Sequence, residues 1–105
     1  MLKLIYYVPD EHLEVTKEAL FKAGAGGIGD YTHCAWQVLG TGQFKAQQGA
    51  DPYIGEVGEL EQVEEWRVEM LVADEKVVEV AKALKASHPY EEPAFEFIQL
   101  LDIKV

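Results

Sequence analysis

The sequence predicts a ferredoxin-like split β-α-β-β-α-β fold. This is an α+β sandwich in which a four-stranded antiparallel sheet carries two helices on one face. Three features carry the prediction. Alternating, β-rich stretches recur four times. Two stretches with helical periodicity separate the first strand from the second and the third from the fourth. A segment rich in glycine, with no helical period, joins the second strand to the third.

The first strand is Leu2–Val8 (LKLIYYV), with Leu2, Leu4, Tyr6 and Val8 on one face. Pro9 and Asp10 end it, and Asp10 stands where an N-terminal cap is expected. In EHLEVTKEALFKA, Val15, Ala19 and Ala23 recur at i, i+4 and i+8, flanked by Leu13 and Leu20, which predicts an amphipathic helix. Gly24 occupies the position where a helix favours a left-handed residue. The second strand is Cys34–Gly40, with Cys34, Trp36 and Val38 on one face. Gly40, Gly42, Gly49, Pro52, Gly55 and Gly58 then punctuate a long turn-rich connection with room for short strand pieces such as GQFKA.

The third strand is Val63–Val72. It turns Trp66, Val68, Met70 and Val72 one way and Glu65, Arg67 and Glu69 the other. Asp74 is placed to cap the second helix, whose Val77, Val80, Ala81 and Leu84 define a buried stripe. SHPYEEP breaks the helical pattern, and AFEFIQLLDIKV is the last strand. The sheet face away from the helices would carry Ile5 and Tyr7 beside Glu65, Arg67 and Glu69. That mixture suits water or a second subunit.

With 105 residues, 49% of them hydrophobic, the chain is read as one domain spanning 1–105. Nine Lys and Arg against 19 Asp and Glu give a net charge of −10. Such a surface repels nucleic-acid phosphates and anionic membranes, so neither is an expected partner. It suits solubility, a cationic ligand or a basic protein partner. The single cysteine, Cys34, allows no internal disulfide. No apolar run reaches membrane-spanning length, and the first residues lack a signal-peptide core, so the expected location is the cytoplasm.

Gly24, Gly26 and Gly29 in KAGAGGIGDY match the G-x-G-x-x-G of dinucleotide sites. That loop binds pyrophosphate because a helix N-terminus follows it. Here a helix precedes the glycines, so its negative end faces them and a dinucleotide reading is rejected. Gly24 reads as the helix C-cap. Gly26, Gly27 and Gly29 are candidates for close approach to a ligand or another chain.

In THCAW, His33 and Cys34 point to opposite faces if both lie in a strand, and Cys34 reads as a small buried hydrophobe. No zinc-type spacing is present. In HPYEE, His88 stands three and four residues before Glu91 and Glu92, which admits metal binding or proton transfer. The competing reading is a rigid turn, with His88 capping the helix before it. His12 reads as solvated surface. No nucleophile–base pair stands out, so the chain is not expected to be an enzyme.

Taken together, AGAGGIGDYTHCAW, GTGQF, DPYIGEVG and SHPYEEPAFEF resemble the PII/CutA-like domain of the bacterial YqfO proteins. That domain is an insert within the Ngg-interacting-factor-like (NIF-three-like) family. The resemblance runs from about Leu2 to Leu101, and HPYEEP is also similar to CutA. It implies a stand-alone PII/CutA-like domain and a homo-oligomer, dimer or trimer, packed through its sheets. The family's two-metal site lies in a flanking domain none of whose motifs falls on these residues, so hydrolase activity is not carried over. The PII nucleotide loop is not recognisable either.

The resemblance singles out Gly24, Gly26, Gly29, Tyr31, Gly42, Phe44, Gly55 and Tyr90 as ligand or interface candidates, to which Gly27 is added. It implies that the glycines and the HPYEE carboxylates meet in a pocket at a subunit boundary. Three readings of function follow. The first is a regulatory binding module for a small molecule or protein. The second is a divalent-metal binder using His88, Glu91 and Glu92, joined by His33 or Cys34. The third is a small enzyme with His88 as general base.

Overall fold

A computed structural model describes all 105 residues. The elements are β1 (Leu2–Pro9), α1 (Leu13–Lys22), β2 (Trp36–Lys45), β3 (Leu60–Val72), α2 (Val77–Ser87) and β4 (Phe95–Gln99). The sheet order is β2-β3-β1-β4, and every neighbouring pair is antiparallel. This is the predicted split β-α-β-β-α-β arrangement.

The core lies between one sheet face and the two helices. Leu4, Tyr6 and Val8 of β1 and Val68, Met70 and Val72 of β3 meet Leu13 and Leu20 of α1 and Val80 and Leu84 of α2. Alternation puts the other residues of these strands on the open face. There Tyr7 pairs with Arg67 and Ile5 with Glu69. The β2 residues opposite Glu69, Arg67 and Glu65 are Trp36, Val38 and Gly40. Trp36 and Val38 are therefore exposed on the open face. β2 is also an edge strand, with β3 on one side only.

Several local expectations are corrected. The buried stripe of α1 is Leu13, Thr16 and Leu20, while Val15 is exposed. A polar residue can sit in that stripe because its hydroxyl is satisfied. Thr16 Oγ1 donates to the His12 and Leu13 carbonyls and lies 3.0 Å from the Tyr6 hydroxyl. Neither aspartate caps a helix with its side chain. Short 3₁₀ turns, Asp10–His12 and Asp74–Lys76, lead into the helices instead. Asp10 accepts the Trp66 indole N–H at 2.8 Å, and Asp74 meets the N-terminal amine. His12 is half-buried, edge-on to Tyr53, with Nδ1 buried and unpartnered.

β2 begins two residues later than predicted and runs through Gly40 and Gly42 to Lys45. β3 begins three residues earlier, at Leu60, and β4 ends at Gln99. Backbone pairing with β3 carries the glycines that read as punctuation. His33 and Cys34 consequently lie in the loop before β2. His33 has φ +59° with its ring on Phe21, and Cys34 is half-exposed rather than in the core.

The glycine loop divides its tasks. Gly24, at φ +110°, ends α1 in a Schellman motif. Its N–H donates to the Phe21 carbonyl, and the next N–H, of Ala25, donates to Leu20. Gly26, at φ +81°, donates to the Leu71 carbonyl and accepts from Cys34 N–H. A Cβ there would lie 2.9 Å from both the Phe21 ring and the Cys34 carbonyl. Its close approach is therefore to its own chain. Gly29 takes φ +54° in a tight turn closed by two hydrogen bonds between Ile28 and Tyr31. A methyl group on Gly27 or Gly29 would meet nothing within 4 Å, and Tyr31 is 74% exposed.

These contacts predict a contrast. Gly26→Ala combines a left-handed backbone with a clash and should cost about 1–3 kcal/mol in urea unfolding. Gly27→Ala should stay within about 0.5 kcal/mol of the parent.

Candidate functional site

The open face of the sheet is partly roofed at one end, and the half-open cleft there has a volume of about 670 Å³. Its floor is the sheet itself, with Tyr7 of β1, Glu65 and Arg67 of β3, and Val38, Gly40, Gly42 and Phe44 of β2. Its walls are the connection after β2, through Pro52, Tyr53 and Ile54, and the turn before β4, through Tyr90, Glu91 and Glu92. The lining is mainly apolar and aromatic with a few charged groups, the composition expected of a small-molecule site.

One buried imidazole fixes the second wall. His88 is 7% exposed. Its Nε2–H donates to the Tyr7 carbonyl at 2.6 Å, and its Nδ1 accepts the Tyr90 N–H at 3.1 Å. A carbonyl only accepts and an amide N–H only donates, so these partners define a neutral ring protonated on Nε2. Burial holds its pKa below the ordinary value, against the Tyr7 carbonyl and the Glu65 charge, which act upward. The ring does not cap α2. The last turn is closed by the His88 N–H on the Leu84 carbonyl and by the Ser87 hydroxyl on the Ala83 carbonyl.

Held this way, Tyr90 lies against the His88 ring, 4.8 Å between centroids, and its hydroxyl donates to Glu65 Oε2 at 2.8 Å. Burial, with the Glu65 carboxylate second, keeps this phenol protonated well beyond its usual range. Gly42 makes room for that carboxylate. A Cβ at Gly42 would fall 1.9 Å from Glu65 Oε1. The first wall is tied down at three points. Gly58 N–H donates to the Ala46 carbonyl, Asp51 N–H to Glu91 Oε2 at 3.0 Å, and the Tyr53 hydroxyl to Glu11 at 3.3 Å. Gly55, at φ +80°, packs on Glu61 just outside the cleft.

The structure thus sorts the sequence candidates. Gly42, Phe44, Tyr90, Glu91 and Glu92 come together in the cleft. Gly24, Gly26, Gly27, Gly29, Tyr31, His33 and Cys34 do not line it. Gly26 is bonded to Leu71, whereas Tyr90 is bonded to Glu65, six residues away along β3. At 3.4 Å per residue that places the two connections roughly 20 Å apart, at opposite ends of the sheet. His88, Glu91 and Glu92 do not converge on a common point. Both ring nitrogens of His88 are bonded within the chain, and no group of three or more His, Cys, Asp or Glu side chains is arranged to hold a metal ion. The sequence reading missed Tyr7, Val38, Tyr53, Glu65 and Arg67 as site residues. The mixed open face was the available signal for Tyr7, Glu65 and Arg67, while Val38 and Tyr53 had none.

No protein-family model matches the chain. It is 52% identical over 99 residues to a protein of Mycobacterium tuberculosis (strain H37Rv), and 50% identical over 94 residues to one of Bacillus subtilis (strain 168). Both are named GTP cyclohydrolase 1 type 2 homolog. These matches cover 94% and 90% of the chain, which spans about a quarter of the length of these curated relatives (26% and 25%). A Bacillus cereus protein related to NIF3 superposes with a TM-score of 0.83 at 40% identity, covering 96% of this chain and 26% of that one. The PII-like protein CutA from Nostoc sp. PCC 7120 gives 0.68 at 18% identity, covering 95% of this chain and 81% of that one. The chain therefore corresponds to one segment of the NIF3-related proteins and has a CutA/PII-like fold, as the sequence motifs implied. No helix is long and apolar enough to cross a membrane.

The His88 brace makes stability depend on pH. Below its ordinary pKa of 6.5 the unfolded chain takes up a proton that the folded chain resists. The contribution is fully present above that value and is lost as pH falls below it. Denaturant midpoints should drop between roughly pH 7.5 and 5.5, and His88→Gln should flatten the part of that slope due to the imidazole.

Proposed function

We propose that this chain is a non-catalytic binding module whose cleft takes a small organic ligand. The observation that carries the reading is the cleft itself, a cavity of about 670 Å³ built from four separate stretches of sequence. Its volume lies within the roughly 300–1,000 Å³ of small-molecule sites. A packed structural turn would need no such space. The commitment of both His88 nitrogens within the chain supports binding over catalysis, because a general base needs a free nitrogen facing its substrate. The relatives' name, GTP cyclohydrolase 1 type 2 homolog, belongs to proteins about four times as long, and the reading takes no activity from it.

A regulatory role follows from how the roof is attached. The side-chain hydrogen bonds that anchor the Pro52–Ile54 wall, Asp51 N–H to Glu91 and the Tyr53 hydroxyl to Glu11, are solvent-exposed, and the Tyr53 ring adds contacts with His12 and Tyr90. A ligand filling the cleft would order this connection and change the surface it offers to a partner. The exposed Trp36 and Val38 on the open face, with Ile98 on β4, support association with further copies of the chain. Trp36→Asp should lower the mass seen by sedimentation if that face joins subunits.

The cleft is tested through Gly42. In Gly42→Ala the new methyl displaces the Glu65 carboxylate and releases Tyr90. Compounds found by fragment screening with amide NMR on the parent should bind about tenfold more weakly to this variant, with its spectrum otherwise dispersed as before. Fragments that bind both proteins equally would place the site elsewhere.

A further inference from the structure

We propose that the ligand of the cleft is an organic cation, a methylated or quaternary ammonium group held against the rings of Phe44, Tyr53 and Tyr90. This rests on reading the cleft as a binding site and names the chemistry it selects.

Three observations converge. The first is the ring geometry. Tyr90 is the common member of two tilted pairs, 6.5 Å from Phe44 at 53° and 6.2 Å from Tyr53 at 47°. Three aromatic rings thus gather at one part of the cleft lining, and clustered aromatic rings are how proteins receive ammonium groups. The second is the state of Tyr90. Its hydroxyl donates to the Glu65 carboxylate, which pushes electron density into the ring and fixes a negative charge beside it.

The third is the balance of charge. Glu65, Glu91 and Glu92 line the cleft, against the single guanidinium of Arg67. Arg67 is partly neutralised by Glu69, which accepts its Nε–H at 3.1 Å while also pairing with Lys3. Glu91 and Glu92 are exposed at the mouth, and the whole chain carries a net charge of −10. The field therefore draws cations toward the aromatic part of the cleft.

These features also choose among cations. A hard divalent ion needs several oxygen ligands converging at short range, and no such cluster exists here. A primary ammonium keeps a tightly held water shell that the apolar lining cannot replace. A methylated ammonium spreads its charge over an apolar surface and loses little on leaving water.

The test uses the full chain, with choline and its uncharged isostere 3,3-dimethylbutan-1-ol as probes and benzoate as an anionic control. Binding is followed by amide NMR titration. Choline should saturate, shifting the resonances of Phe44, Tyr53 and Tyr90, while the isostere binds about tenfold more weakly. Phe44→Leu and Tyr53→Leu should each weaken choline by about fivefold, with spectra as dispersed as the parent's. Equal binding of the isostere, or binding of benzoate at Arg67 with choline inert, would overturn the cationic class and leave the binding site standing. A screen in which none of the three probes and no other fragment moves the cleft resonances would overturn the site as well.

Discussion

The cleft depends on one neutral imidazole. His88 joins two elements that the chain order separates, the carbonyl of Tyr7 near the end of β1 and the amide of Tyr90 in the turn before β4. From Tyr90 the connection continues through its hydroxyl to Glu65 on β3. Two strands and a turn are thereby registered to one another at one end of the sheet. The ring can do this only uncharged, because a proton on Nδ1 would face the Tyr90 N–H. Burial, which disfavours the charged form, is thus part of the same device.

Much of the fold was legible in the sequence because period decides it. Strand alternation in β1 and β3 named eight inward residues, of which the structure buries Leu4, Tyr6, Val8, Val68, Met70 and Val72 and leaves Leu2 and Trp66 half-buried. The spacing of Val77, Val80, Ala81 and Leu84 named the inner face of α2, where Val80 and Leu84 enter the core and Val77 packs against it, with Ala83 rather than Ala81 beside them. Two readings failed where a residue's intrinsic character was overruled by its partners. Thr16 falls outside the apolar stripe that spacing predicts for α1, yet two carbonyls and the Tyr6 hydroxyl satisfy its oxygen in the core. Gly40 and Gly42 have the character of turn residues, yet they lie within β2 because β3 pairs with them along its length.

The candidate site was legible as letters and not as a place. Gly42, Phe44, Tyr90, Glu91 and Glu92 all stand out in the sequence, but their assembly needs the register of β2 on β3 and the path of the following connection. Neither can be read from spacing. The partition of the glycines has the same origin. Gly24 and Gly26 meet backbone demands local to the end of α1, while Gly42 leaves a void for a carboxylate two residues beyond its own β3 partner. The first kind of demand is written in the neighbouring residues. The second is set by a strand roughly twenty positions away in the chain.

The bare edge of β2 gives the acidic composition a further meaning. A ten-residue edge strand with exposed Trp36 and Val38 offers unpaired backbone groups to any other extended chain. Only one basic residue, Lys45, stands on it, and it has no proline or acidic side chain to discourage such pairing. The deterrent is long-range instead. A net charge of −10 on so small a body keeps copies apart in dilute salt, and a Debye length of about 10 Å at 0.1 M weakens that barrier as ions are added. The colloidal behaviour of the protein is therefore governed by ionic strength acting on the whole surface, while the edge supplies the adhesion that screening uncovers.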